Sequence, residues 1–144
     1  MNRQSNKITA LYCRTGSSRS DMDGLIRRNQ MERLAEYAAE YELQNPEFFC
    51  DWGFPGTTPE RPEYQRMLRE IEAGNVFGLV ATNTNRLLRG DLVEDAHFYA
   101  ILTNYDITLH IVQNKSTVTP KDAREIVAEY EQLLDFLQRR AGWE

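Results

Sequence analysis

Four arginines lie in the loops that follow three predicted strands, namely Arg14, Arg61, Arg86 and Arg89. Guanidinium groups packed together repel one another unless an anion binds among them, and their planar forks match two oxygens of a phosphate group. If the loops meet, the sequence predicts a site for a phosphodiester, or for a transition state that spreads negative charge over phosphate oxygens. In the opposite interpretation, each arginine pairs with a neighbouring carboxylate, such as Glu60, Glu63 or Asp91.

Strand-like and helix-like segments alternate along the chain. The predicted strands are Lys7–Cys13, Phe48–Cys50, Val76–Ala81 and Thr108–Val112. Helical spacing or capping residues predict helices over Leu25–Tyr41, from Pro62 to Gly74, from Asp91 to about Asn104, and from Thr119–Pro120 onward. This alternation predicts an α/β fold of three layers, with a central, mostly parallel sheet and helices on both faces. Because chemistry collects beyond the carboxyl ends of parallel strands, we expect the arginine loops at that edge.

The composition is that of one globular domain. The 144 residues are 41% hydrophobic and 27% charged, enough for one core and too few for two. A net charge of −5, from 17 basic and 22 acidic side chains, excludes a strongly basic nucleic-acid-binding domain but leaves room for a local basic pocket. We expect a single domain over residues 1–144, with a loop and a C-terminal helix over 113–144 and no C-terminal DNA-binding domain.

The apolar residues do not predict a membrane span, and the cysteines and histidines do not predict a metal site. No apolar run approaches the roughly 20 residues of a membrane span, and the first residues do not resemble a signal peptide, so we expect a cytoplasmic protein. Cys13 and Cys50 lack the C-x-x-C spacing and are expected to be free thiols. His97 is expected half-buried or at the surface of a helix, and His110 in a strand facing solvent or a helix edge. We expect no metal and no other cofactor.

Five short motifs follow one another between Lys7 and Val112. They are Y-x-R (Tyr12, Arg14), a glutamine in an amphipathic helix (Gln30), D-x-G (Asp51, Gly53), R-P (Arg61, Pro62) and N-R-L-L-R (Asn85–Arg89). In this order and at this spacing they resemble the catalytic domain of serine site-specific recombinases, the resolvase/invertase group, and in particular the large serine recombinases of mobile elements. The resemblance implies a resolvase-like fold and a function in DNA recombination and integration.

The resemblance also implies roles for particular residues. In that family, a serine two positions after the arginine of Y-x-R-x-S attacks a DNA phosphodiester and forms a phosphoserine link, while arginines surround the phosphate. Carried over, the phosphate-binding residues are Arg14, Arg61, Arg86 and Arg89, with Gln30 as a supporting polar residue. The family acts on DNA as dimers and tetramers without metal or nucleotide. We therefore expect a homodimer or tetramer, and weak DNA binding by this acidic domain alone.

The sequence departs from the family's pattern at three positions. Gly16 stands where the nucleophilic serine is expected, Pro55 replaces a serine of the second loop, and Asn85 replaces an aspartate, so it cannot carry a proton as a carboxylate does. Ser17 or Ser18 could act instead, but adjacent Cα atoms lie about 3.8 Å apart, and a misplacement of about 1 Å already costs on the order of a hundredfold in rate. We expect phosphate binding with reduced or absent cleavage, and Ser17 is the alternative nucleophile.

Two other functions stay open. The segment Cys13–Ser20 fits C-x-x-G-x-x-R-S and looks like the phosphate loop of cysteine-dependent phosphatases, with Cys13 as nucleophile and Arg19 binding the phosphate. Alternatively, the domain is a catalytically dead dimerisation or regulatory module of a recombinase system. The last helix carries Leu133, Leu134 and Leu137 at helical spacing, a stripe that suits dimerisation and coverage of the core equally well.

Overall fold

The computed structural model describes residues 7–16, 23–54 and 60–140, which form alternating strands and helices. The strands are β1 (Ile8–Arg14), β2 (Pro46–Asp51), β3 (Val76–Ala81), β4 (Thr108–Ile111) and β5 (Ser116–Val118). The helices are α1 (Asp23–Glu40), α2 (Pro62–Glu72), α3 (Leu92–Asn104) and α4 (Pro120–Arg140), and a short 3₁₀-helix covers Thr84–Arg86. None of the described helices combines the length and the apolarity that crossing a membrane requires.

The strands form a sheet of five in the order β2-β1-β3-β4-β5. β1 to β4 run parallel, and β5 is antiparallel to β4. The predicted α/β fold with a mostly parallel sheet is therefore confirmed. The prediction of a loop and then a helix over 113–144 is wrong in one respect, because Ser116–Val118 forms β5 within that loop. A strand this short cannot show the alternation of side chains by which strands are recognised.

β1 is buried on both faces and separates two hydrophobic clusters. Ala10 and Tyr12 belong to the larger cluster, to which α2, α3 and α4 contribute. Leu11 and Cys13 belong to the smaller cluster, together with residues of α1 such as Leu34. This division follows from the strand itself, because successive side chains point to opposite faces of a sheet. The predicted layers of helices on both faces are confirmed.

Capping side chains begin two of the helices at the predicted places. The Asp91 carboxylate accepts hydrogen bonds from the amides of Val93 and Glu94 at 2.9 and 3.1 Å. Thr119 Oγ1 accepts one from the amide of Asp122 at 3.1 Å. Such bonds satisfy amides that have no partner within the helix. Smaller differences from prediction lie at element ends, since β2 and α1 both begin earlier than predicted.

The imidazole of His110 lies half-buried against α1, where the Tyr37 hydroxyl is 3.0 Å from its Nδ1. Burial lowers the pKa of His110 below its ordinary value. In the unfolded chain this pKa returns to about 6.5, so the unfolded state binds more protons below that pH. We expect the free energy of unfolding to fall as the pH drops below about 6.5, by up to about 1.4 kcal/mol per pH unit, until the folded-state pKa is reached.

Chemical denaturation between about pH 5 and pH 8, the range in which histidine titrates, measures this contribution. His97 is exposed on α3 and provides a matched control. In His110→Gln, the loss of stability on acidification should be smaller than in the native chain, whereas His97→Gln should leave it unchanged. An unaltered acid dependence in His110→Gln would contradict the expectation.

Candidate active site

The carboxyl ends of β1, β2 and β3 meet at one edge of the sheet. Arg14 and Asp51, the last residues of β1 and β2, are register partners, and Leu11 of β1 pairs with Val80 near the end of β3. The chain passes from β1 to β2 on one side and then crosses to β3 on the other, so the strand order reverses at β1. Such a reversal opens a crevice beyond the strand ends, where ligands bind in open α/β sheets.

The buried side chain of Arg14 reaches across this crevice. Its Nη1 donates to the carbonyl oxygen of Phe54 at 3.0 Å, its Nη2 to that of Asn85 at 2.7 Å, and its Nε to that of Arg86 at 3.2 Å. All three guanidinium nitrogens therefore bind main-chain oxygens of the loops after β2 and β3. Arg14 thus links the ends of three strands.

Arg61 immediately precedes α2, and only 1% of its surface is exposed. Its Nη1 donates to the carbonyl oxygen of Arg86 at 3.2 Å and its Nη2 to that of Leu87 at 3.2 Å. Its guanidinium carbon lies 4.0 Å from the centre of the Tyr64 ring, a cation–π contact. Arg14 and Arg61 therefore share the carbonyl oxygen of Arg86, which brings two positive charges together in the crevice.

The side chains of Arg86 and Gln30 hold the main chain of Arg14. Arg86 Nη1 donates to the Arg14 carbonyl oxygen at 2.9 Å. The buried amide of Gln30 contacts both main-chain groups: its Oε1 accepts from the Arg14 amide at 2.9 Å, and its Nε2 donates to the Arg14 carbonyl at 3.2 Å. Three of the four predicted arginines are thus in mutual contact, and we call Arg14, Arg61 and Arg86 the arginine cluster.

Arg89, the fourth predicted arginine, lines a cavity of about 290 Å³ together with Arg61. Its Nη1 lies 3.7 Å from Glu94 Oε2, a long ion pair with an exposed carboxylate. The interpretation in which each arginine pairs with a carboxylate therefore describes Arg89. Within the described residues it does not describe the arginine cluster, where the guanidinium groups donate to main-chain carbonyls.

The arginine cluster concentrates positive charge away from water. Burial lowers the pKa of the Arg14 guanidinium, and the positive charges of Arg61 and Arg86 lower it further, while Tyr12 and Asp51 act in the opposite direction. Burying like charges together is costly unless an opposite charge compensates them. Guanidinium forks bind the oxygens of a phosphate group bidentately. The cluster is therefore suited to a phosphate or a phosphodiester.

Asp51 is a buried carboxylate that anchors the start of α2. Only 1% of its surface is exposed. It accepts hydrogen bonds from the Tyr12 hydroxyl at 2.8 Å and from the amides of Glu63 and Tyr64, both at 2.9 Å. Because Arg61 immediately precedes this first turn, Asp51 helps to position it. The D-x-G motif draws attention to Asp51, but no sequence pattern shows this role.

Asp95 is a second buried carboxylate, which no motif in the sequence indicates. Its side chain accepts hydrogen bonds from the amides of Arg89 and Gly90 at 2.9 and 3.1 Å. These bonds fix the loop that carries Arg89. Asp95 stands in the first turn of α3, where acidic residues are favoured whether or not they are buried. No signal in the sequence would have distinguished it from an ordinary surface carboxylate.

Several residues singled out in the sequence lie outside the described part of the chain, namely Ser17, Ser18, Arg19 and Pro55. Gly16 is described, and a Cβ added there would meet no atom of the described residues within 4 Å. The side chain of Asn85 is exposed, and its carbonyl oxygen makes the contact with Arg14. The main chain at Asn85 therefore serves the site in the described arrangement.

Cys13 is fully buried near the end of β1, beside its register partner Cys50 on β2. Both are free thiols, as predicted. A hydrogen bond with Cys50 and burial raise the pKa of the Cys13 thiol. A phosphatase nucleophile needs an accessible thiolate, so this environment argues against the phosphatase hypothesis. Within residues 7–16, 23–54 and 60–140, no three side chains of the metal-binding types are grouped closely enough to hold an ion.

Comparisons with known proteins agree with this architecture. The family described as "Resolvase, N terminal domain" matches residues 9–141. The solved N-terminal catalytic domain of TP901-1 integrase is 21% identical, with a TM-score of 0.71, over 92% of this chain and 98% of that one. A resolvase family site-specific recombinase from Streptococcus pneumoniae is 15% identical, with a TM-score of 0.70, over 94% and 90% of the two chains.

A third solved structure is the C-terminal catalytic domain of ISC1926 TnpA, described as an IS607-like serine recombinase. It is 20% identical, with a TM-score of 0.63, over 73% of this chain and 70% of that one. A comparison with curated proteins found no match. At these identities, the three structures show that the fold is shared.

Proposed function

The chain belongs to the resolvase N-terminal domain family, and on that basis we propose that it takes part in site-specific DNA recombination as a serine recombinase catalytic domain. The arginine cluster carries the proposal, because Arg14 and Arg61 donate to the same carbonyl oxygen beyond the strand ends. The proposed ligand is a phosphodiester of DNA. The free thiols of Cys13 and Cys50 are consistent with work in a reducing cytoplasm.

The proposed role of the arginine cluster is to neutralise a phosphodiester. A guanidinium carries five N–H donors, and three nitrogens of Arg14 each direct one of them to a carbonyl, so donors are left for phosphate oxygens. The same groups would stabilise charge that develops on those oxygens in a transition state. This chemistry needs no metal, because the guanidiniums supply the positive charge. Gly16 offers no hydroxyl, so we propose binding without formation of the phosphoserine link.

We also propose that the domain works as a homodimer or tetramer. Three large apolar side chains are exposed on α4, namely Leu133, Phe136 and Leu137. Contiguous apolar patches on a protein surface mark interaction sites, and a second copy of the chain would bury this one. In such an assembly, a domain that does not cleave DNA could still act as a regulatory subunit of a recombinase system. This is the second candidate function.

Arg86→Gln tests the phosphate site, because Arg86 belongs to the cluster without being fully buried. We expect native binding to duplex DNA to be weaker than about 1 µM near physiological salt. At low salt, Arg86→Gln should weaken binding about tenfold, the effect of losing one charge-assisted contact. The slope of log K against log salt should fall by about one. Fluorescence anisotropy of a labelled duplex, titrated at several salt concentrations, measures both quantities.

Arg69→Gln is the matched control for this experiment. It removes the same charge from the exposed last turn of α2, away from the arginine cluster. Equal losses in the two variants would mean that net charge, rather than the cluster, governs binding. Sub-micromolar binding of arbitrary duplex DNA by the native chain at physiological salt would contradict the expected weakness of this acidic domain.

A further inference from the structure

A second cavity, of about 220 Å³, lies beside α1 at the same edge of the sheet. We call it the α1 pocket. Its polar lining includes Gln30, Arg33, Thr82, Asn83, Arg86 and Gln113. The lining residues of α1 recur at three- and four-residue spacing, so they form one face of that helix. Arg86 is shared with the arginine cluster, whereas Arg14 and Arg61 are not among the lining residues. The α1 pocket is therefore a neighbour of the arginine cluster and distinct from it.

The charge of the α1 pocket is positive. Among the described residues, its charged lining side chains are Arg33 and Arg86, and no described carboxylate contributes to the lining. Within the described residues, the ion pairs of the chain involve other arginines, namely Arg66, Arg89 and Arg139. Guanidinium charges without carboxylate partners attract an anion. The pocket thus has the electrostatics of an anion site.

Three buried polar atoms of the α1 pocket have no hydrogen-bond partner within the described residues: Thr82 Oγ1, Asn83 Oδ1 and Arg86 Nε. Only 3% of the surface of Thr82 is exposed, so solvent hardly reaches its hydroxyl. Buried polar atoms are nearly always paired, and an exception needs an explanation. A bound oxyanion supplies one, because it accepts from a hydroxyl and a guanidinium. When the side-chain amide of Asn83 is rotated by 180°, the donor Nδ2 takes the place of Oδ1, so the oxyanion accepts from this residue as well.

We propose that the α1 pocket binds a second phosphate group, beside the one held by the arginine cluster. Its volume lies below the roughly 300–1,000 Å³ of sites for drug-sized ligands, which favours a small oxyanion. The two positions share Arg86, so they lie side by side. Neighbouring phosphates of one DNA strand are arranged in the same way. The assignment of this second phosphate to a DNA strand rests on the proposed function. A second phosphate contact would fix the register of the strand without reading its sequence.

Titration with inorganic phosphate tests the α1 pocket without DNA. In nuclear magnetic resonance spectra of the chain, the amide signals of Thr82, Asn83 and Gln113 should shift in a saturable way. Arg33→Gln should raise the Kd for phosphate about tenfold, as expected for one charge-assisted contact. Arg28→Gln removes the same charge from the opposite face of α1 and should leave the Kd unchanged. No saturable shift at these amides, or equal effects of the two variants, would overturn the proposal.

A DNA arm identifies the source of the phosphate. If the pocket holds a phosphate of the strand, Arg33→Gln should lower the slope of log K against log salt by about one, and Arg28→Gln should not. Saturable phosphate binding with equal DNA slopes in the two variants would overturn the assignment to the strand and leave a site for free phosphate. A different outcome would contradict the proposed function alone: Arg86→Gln and Arg69→Gln would bind DNA equally well, while phosphate would still shift the amide signals of the α1 pocket.

Discussion

The Gly16→Ser variant is expected to form a covalent link with DNA, whereas the native chain is expected to form none. Gly16 stands two residues after Arg14, where the pattern Y-x-R-x-S has its nucleophile. A Cβ there meets no atom of the described part of the chain within 4 Å, and the backbone of Gly16 is not in the left-handed region that favours glycine. The described surroundings therefore leave room for a serine two residues after Arg14 of the arginine cluster.

The yield of the covalent adduct should rise at least about a hundredfold over the native chain. A misplacement of about 1 Å already costs that factor, and a serine one position further along the chain starts from a Cα about 3.8 Å away. Denaturing electrophoresis of the chain with a labelled pool of random duplexes measures the yield. The new band should persist when Ser17→Ala is added to Gly16→Ser. A native band that Ser17→Ala removes would make Ser17 the nucleophile and contradict the expectation.

Asp51→Ala should lower the free energy of unfolding by about 3–5 kcal/mol, the range for breaking a buried charged network from one side. The substitution leaves the Tyr12 hydroxyl and the amides of Glu63 and Tyr64 without their acceptor. Each buried donor left unsatisfied costs about 1–3 kcal/mol. The first turn of α2 would loosen, and with it the position of Arg61. Urea denaturation followed by circular dichroism measures the change.

Asp91→Ala is the matched control for Asp51→Ala. Asp91 also accepts two amide hydrogen bonds at the start of a helix, but it is exposed. Its loss should cost about 1 kcal/mol, as is usual for a capping residue. A similar, small loss in both variants would show that the burial of Asp51 adds nothing to its role as a cap.

The sequence predicted the framework of the site because strand ends and caps have local signals. Val76–Ala81 is an apolar run that forms β3 over the same residues, and Asp91 caps α3 as its position indicates. The alternation of elements then brings Arg14, at the end of β1, and Arg86, in the loop after β3, to one edge of the sheet, which is where they lie. The shared family pattern adds Gln30, whose side chain bonds the main chain of Arg14.

The partners of the arginines could not be predicted, because they are main-chain atoms. Every residue has a carbonyl, so nothing in the sequence marks Phe54, Asn85 or Leu87 as acceptors. The charged residues close to the arginines along the chain pointed instead to carboxylate partners, an arrangement that holds only for Arg89 among the four, within the described residues. The burial of Asp95 could not be predicted for a related reason, because it depends on how α3 packs and not on the position of Asp95 in the helix.

The use of main-chain acceptors makes the orientation of Arg14 and Arg61 tolerant of sequence drift. A substitution at Phe54, Asn85 or Leu87 changes a side chain but keeps the oxygen that holds a guanidinium, provided that the loop keeps its course. The proposed anion site therefore does not depend on the residue that would cut DNA. In a protein that descends from an active enzyme, the nucleophilic residue can be replaced by glycine while the arrangement that would bind an anion is kept.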